Sequence, residues 1–195
     1  MRFQIQLYNT DYNLSVLPIN YQYPLSSAIY KILSKGNAEY AQFLHEKGYG
    51  KGFKFFTFSD LNTKFKREGD RMRLLNPKAE FTIAFHLPEA SRTFVEGLFR
   101  SEEIVIADRK SKAIFKVQSI VSKNNPLNQK SDNEISQIVT RPLSMIISGE
   151  KNERGNYDFL SPDDSRFVQS LLNNWRNKIA ASYNEREAEE AILMI

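Results

Sequence analysis

The sequence predicts an α+β protein: a ferredoxin-like N-terminal domain with the topology of an RNA-recognition motif, followed by an incomplete second domain. Three observations lead there. Residues 1–123 read as strand, helices, strand, strand, helix, strand. A polar stretch, SKNNPLNQKSDN from Ser122 to Asn133, then interrupts the pattern, and residues 124–133 are expected to be a linker or exposed loop. The remainder, 134–195, offers a strand or two and one long helix, too few elements to bury that helix's apolar side.

The first strand is the clearest element. Phe3, Ile5 and Leu7 alternate with Arg2, Gln4 and Gln6, the period of a half-buried strand. Pro18 and Pro24 bracket a loop or extended segment, and Pro24 suits the first position of a helix. Leu25, Ala28, Ile29, Ile32 and Leu33 then recur at helical spacing. Gly36 is a natural stop and Asn37 a natural cap for a second helix, from Ala38 to Lys47, ended by Gly48. Phe53–Phe58 is too aromatic for a loop and is expected to be a strand. A weaker strand is expected over Arg71–Leu75, and Phe81, Ile83 and Phe85 alternate again. Pro88 opens a helix through Phe99, and Glu103–Ile106 with Ala113–Val121 forms a closing hairpin.

Beyond the linker, strand-like residues run from Ile135 to Ile147, followed by a turn region at Gly149–Gly155. Ser161, Pro162, Asp163 and Asp164 have the chemistry of a helix start. Phe167, Val168, Leu171, Leu172, Trp175 and Ile179 give that helix its apolar stripe. The chain closes on Ala191–Ile195 with no turn residue, and the expectation is that the natural protein continues past Ile195.

Composition narrows the function. The chain of 195 residues is 41% hydrophobic and 26% charged, ordinary for a globular protein. No apolar run approaches the length of a membrane span, and no signal peptide is visible. With no cysteine there is no disulfide, thiolate metal site or cysteine nucleophile, which fits a reducing cytoplasm. The net charge of +4 leans toward a polyanionic partner.

Metal and nucleotide chemistry find little support. The two histidines, His45 and His86, are far apart and belong to no ligand-spaced cluster, so no metal or cofactor is expected. Gly48, Gly50 and Gly52 follow a helix and precede a strand, the reverse of a phosphate-binding loop; they mark backbone that comes close to something. Lys51–Phe58 nearly matches the aromatic signature with which an RNA-recognition motif stacks bases, although Lys54 stands where a small residue belongs. Core filling is the better reading for most of Phe53, Phe55, Phe56 and Phe58. His45 near a helix end is by default a surface or capping residue; among nearby lysines it is also a candidate acid–base group. Tyr30 lies off the centre of its helix's apolar stripe, where it either packs or reaches toward a site.

One order of segments ties these candidates together: MRFQIQL, LPINYQYPLSSAIYKIL, FLHEKG, KFFTFS, HLPEASRTFVEGLF, TRPLSMII and SPDDSRFVQSLLNNWRNKIAASY. It spans most of residues 1–183 and resembles the CRISPR-associated endoribonucleases that cut repeat RNA into guide units, the Cas-six type of the RAMP superfamily. The resemblance implies two ferredoxin-like domains side by side, the second only partial here. It implies cleavage of CRISPR repeat RNA (pre-crRNA) without a metal, by attack of the substrate's own 2′-hydroxyl, leaving a 2′,3′-cyclic phosphate. Carried over by position, it makes His45 in FLHEKG, Tyr30 in SAIYKIL and Lys54 before FFTFS the catalytic set. Lys47, Lys51, Gly50 and Gly52 are the expected RNA contacts. A CRISPR effector complex and a homodimer are further partners in keeping with the resemblance. The family's second domain ends in a glycine-rich segment, whereas the last glycine here is Gly155. The alternatives are a non-cleaving repeat-RNA-binding protein of the same fold and an interaction domain without nucleic acid.

Overall fold

The structure is a computed structural model and describes residues 1–101, 103–125, 139 and 141–191. The chain divides into two compact units, one of residues 1–45 and 55–144, the other of residues 46–54 and 145–195.

The first unit is built on a five-stranded sheet. Its strands are β1 (Arg2–Tyr8), β3 (Phe56–Phe58), β6 (Lys78–Phe85), β7 (Glu103–Ala107) and β8 (Lys112–Lys123), in the order β3-β6-β1-β8-β7. The helices α1 (Gln22–Gly36) and α3 (Pro88–Phe99) connect them. With β7 set aside as the outer strand of the closing hairpin, this is the ferredoxin-like order the sequence predicts. The alternation of β1 is the reason it sits centrally. Phe3, Ile5 and Leu7 are buried, and Ile5 faces Phe81 across the antiparallel ladder to β6. Leu25, Ile29 and Leu33 of α1 and Phe94 of α3 are fully buried, so both helices contribute their apolar stripes to the core.

α1 and α3 cross with backbone against backbone. A Cβ on Gly97 would lie 1.8 Å from the Ile32 carbonyl oxygen, and one on Gly36 would lie 2.0 Å from the Thr93 carbonyl oxygen. Arg100 donates to the carbonyls of Lys35 (2.9 Å) and Gly36 (3.3 Å), satisfying acceptors that the end of α1 leaves open. The Asn37 side chain then accepts from the Tyr40 N–H at 3.0 Å and caps α2 (Ala38–Glu46).

A second, three-stranded sheet was only partly legible. It consists of β2 (Val16–Pro18), β4 (Phe65–Glu68) and β5 (Arg71–Leu74), in the order β2-β5-β4. Pro18 fits because β2 is an edge strand. Arg71 on β5 reaches Asp108 at 2.6 Å, and this hydrogen bond leads the effects that hold the Asp108 carboxyl well below its usual range. Tyr21 anchors the segment after β3: its buried hydroxyl accepts from the Leu61 N–H at 2.9 Å. Tyr21→Phe strands that donor and is expected to lower stability by about 1–3 kcal/mol, read as a shifted denaturant midpoint.

Two expectations for the aromatic segment are corrected. Only Phe56–Phe58 is strand; before it, Tyr49 bridges Phe53 in a tight loop. Phe53, Phe55, Phe56 and Phe58 are all half-buried, so none belongs to the fully buried core. The cause is the backbone. Gly48, Gly50 and Gly52 all have positive φ, and so does Phe55, at 51°. That course is incompatible with a continuous pleated strand.

The second unit contains a hairpin, β9 (Ser148–Lys151) with β10 (Tyr157–Leu160), then α4 (Phe167–Ser182) and α5 (Glu185–Glu190). Residues 126–133 of the expected linker lie outside the described residues, as do 135–138 and 140 of the strand expected over 135–147. The described part of that span is not strand, and Gly149, expected in the turn, lies in β9. Nor does the long helix begin at Pro162: residues 162–166 form turns, tied by the Asp164 N–H to the Ser161 carbonyl, and α4 opens at Phe167. Among the residues of α4 only Ser170 is buried, and Trp175 stays 39% exposed. The loop 46–54 packs on this helix. Lys51 Nζ donates to Asn177 Oδ1 at 2.9 Å, and a Cβ on Gly50 would lie 2.6 Å from that of Ala181.

Candidate functional site

Tyr30 and His45 come together in the first unit. The helix α1 turns Leu25, Ile29 and Ile32 into the core, which leaves Tyr30 half-buried on its flank. His45 stands in the last turn of α2, exposed, where buried Leu44 pins the helix. The two rings meet edge to face, centroids 5.4 Å apart at 84°. Behind Tyr30, Phe56 of β3 packs at 5.7 Å; Phe56 touches Phe85, and Phe85 touches buried Phe94. A relay of rings thus runs from the core to the histidine, its two outer contacts edge to face and its two inner ones tilted.

The Tyr30 phenol is an O–H donor at neutral pH, as any tyrosine is, and burial raises its pKa further. The pair opens on a groove of about 520 Å³ between α1 and α2. Tyr23, Ser26, Ser27, Tyr30, Lys31 and Ser34 line it from α1; Ala38, Ala41, Gln42 and His45 line it from α2. Among the described residues no carboxylate lines it. Apart from Tyr30 and His45, sequence reasoning missed this lining. Its signal was present in positions 23, 26, 27, 30, 31 and 34, which recur at helical spacing beside the apolar stripe. It reads as an ordinary polar face until α2 is placed opposite.

Lys54 belongs to the other unit, with Lys47, Lys51, Gly50 and Gly52. It immediately precedes Phe55, whose left-handed backbone is held by the His86 N–H donating to its carbonyl at 2.9 Å and by the His86 ring at 5.5 Å. Sequence reasoning assigned His86 no chemistry, and it serves here as the clamp on this conformation. Within the second unit, Lys178 Nζ lies 5.8 Å from the Phe53 ring centroid. Loss of solvent around that ammonium lowers its pKa. Among the described residues no group of His, Cys, Asp or Glu is arranged to hold a metal ion, and no helix is long and apolar enough to cross a membrane.

Comparison with known proteins bears on this geometry. Residues 16–120 match the family described as CRISPR-associated protein Cas6, N-terminal. The chain is 34% identical over 194 residues to the CRISPR-associated endoribonuclease Cas6 1 of Methanocaldococcus jannaschii, covering 95% of this chain and 68% of that protein. It is 27% identical to the CRISPR-associated endoribonuclease Cas6 of Pyrococcus furiosus, covering 97% of this chain and 68% of that protein. A solved structure of a CRISPR associated protein Cas6 matches with a TM-score of 0.65 at 28% identity, over 95% of this chain and 72% of that one. The fold is also that of a solved structure described as an RAMP protein binding different RNA substrates, with a TM-score of 0.70 at 21% identity over 92% of this chain and 70% of that one. The chain belongs to the Cas6 family.

Proposed function

We propose that the protein is an endoribonuclease of CRISPR repeat RNA that works without a metal ion. The observation that carries this is the Tyr30–His45 contact beside a groove that, among the described residues, no carboxylate lines. The substrate supplies its own nucleophile. The 2′-oxygen bonds to the adjacent phosphorus, the P–O5′ bond breaks, the 2′-hydroxyl proton leaves to a base, and the departing 5′-oxygen takes up a proton. The products are a 2′,3′-cyclic phosphate and a 5′-hydroxyl.

His45 is the group assigned to proton exchange, imidazole being the side chain suited to it near neutral pH. Tyr30, an O–H donor at neutral pH, donates a hydrogen bond to the reacting phosphate or to its leaving oxygen. Lys54 is assigned to the negative charge that gathers on the phosphorane. Lys47, Lys51 and the Gly50–Gly52 turn are assigned to the RNA backbone, where cations bind independently of sequence. The reading extends to a cytoplasmic enzyme whose product passes to an effector complex, with a homodimer as a further possible state.

The test is cleavage of repeat RNA in excess EDTA with analysis of the new ends. Undiminished cutting is expected, with a 2′,3′-cyclic phosphate ending the upstream fragment and a 5′-hydroxyl on the downstream fragment that accepts label directly. Loss of cutting in EDTA that magnesium restores would exclude the mechanism. Tight binding without any cutting would favour the non-cleaving alternative.

A further inference from the structure

The groove between α1 and α2 extends well past the two rings that define the candidate site. Tyr23 and Tyr30 are two helical turns apart on α1, roughly 10 Å along the axis. Between them stand Ser26 and Ser27, and Lys31 follows directly after Tyr30. Opposite them stands Gln42, and among the described residues no carboxylate lines the groove. Glu39 and Glu46, the acids of α2, are not among the lining residues. Tyr23 is 82% exposed, an aromatic face at the rim with little packing to account for it.

We propose that this groove seats one unpaired nucleotide next to the cleaved phosphate, with Lys31 holding that nucleotide's own phosphate and Tyr23 stacking on its base. The inference rests on the RNA-cleavage reading and adds positioning residues to it. The chemistry of the lining matches the ligand. A phosphodiester needs a cation and hydrogen-bond donors, and repels carboxylates. An unpaired base needs an aromatic face to stack on, as single-stranded RNA sites supply. The volume of about 520 Å³ is that of a small-molecule pocket, sufficient for a nucleotide and too small for a duplex.

The experiment uses the whole protein and repeat RNA carrying a 2′-deoxy substitution at the cleaved position, which binds but cannot react. Lys31→Gln is expected to weaken binding and to flatten the dependence of log Kd on log salt by about 0.7, the loss of one single-strand phosphate contact. Lys31→Arg is expected to restore the slope, which a merely structural lysine would not require. Tyr23→Ala is expected to raise Kd about tenfold, and Tyr23→Phe to leave it near wild type. Both side chains are exposed, so the variants should melt as the wild type does. If wild type cuts RNA while Lys31→Gln and Tyr23→Ala keep its Kd and salt slope, the groove assignment is wrong and the cleavage reading stands. If wild type neither binds nor cuts, both fall together.

Discussion

Replacing His45 with alanine is expected to slow cleavage of repeat RNA by about 10²–10⁴-fold, the usual worth of a positioned acid–base group. RNA binding should survive, because His45 is an exposed residue at the end of α2 and the core beneath it is untouched. The ring contact with Tyr30 is worth about 0.5–1.5 kcal/mol at most, too little to unfold a domain. The measurement is single-turnover cutting with protein in excess, which separates chemistry from product release. A rate within a few fold of wild type would remove His45 from the mechanism.

The largest expected effect on stability comes from Gly97→Ala. The new methyl would lie 1.8 Å from the Ile32 carbonyl oxygen and 2.9 Å from the Gly36 nitrogen, both backbone atoms of α1. Neither can rotate away, so α1 and α3 must separate. Overpacking of this kind costs about 1–3 kcal/mol and sometimes more; a backbone clash belongs at the upper end. The expected outcome is a loss of about 3 kcal/mol in chemical denaturation. Because α1 also carries Tyr30, cleavage should fall even in the fraction that stays folded. Gly69→Ala is the control. Its φ is 63° but nothing lies within 4 Å of the added carbon, so it should cost only the backbone strain, about 1 kcal/mol. Equal midpoints for the two variants would show that the helix crossing yields more easily than its geometry implies.

Much of the first unit was legible because its signals are local. The alternation Phe3-Ile5-Leu7 and the stripe Leu25-Ala28-Ile29-Ile32 each report burial on one face, which the sheet and helices then realise. The strand β4, Phe65–Glu68, was not legible, because all its residues are exposed and it has no apolar face to read. Phe53–Phe55 misled because aromatic content favours a strand while three neighbouring glycines and a left-handed phenylalanine bend the chain out of one. For the site, the residues themselves offered His45 only as one reading among others, and resemblance supplied its pairing with Tyr30. Lys31 and Tyr23 could not be singled out, since their interest depends on α2 lying opposite them, a tertiary relation with no local trace.

The relay of rings behind Tyr30 passes through the weakest part of its sheet. Phe56 sits on β3, an edge strand held to β6 by pairing over only Phe56–Phe58. Such edges open locally at a fraction of the free energy that unfolds the whole domain. Two heat limits are therefore expected: one at which the fold is lost, and a lower one at which β3 frays and Tyr30 loses its backing. On the proposed function, cutting is expected to fail at the margin of the sheet before the core gives way.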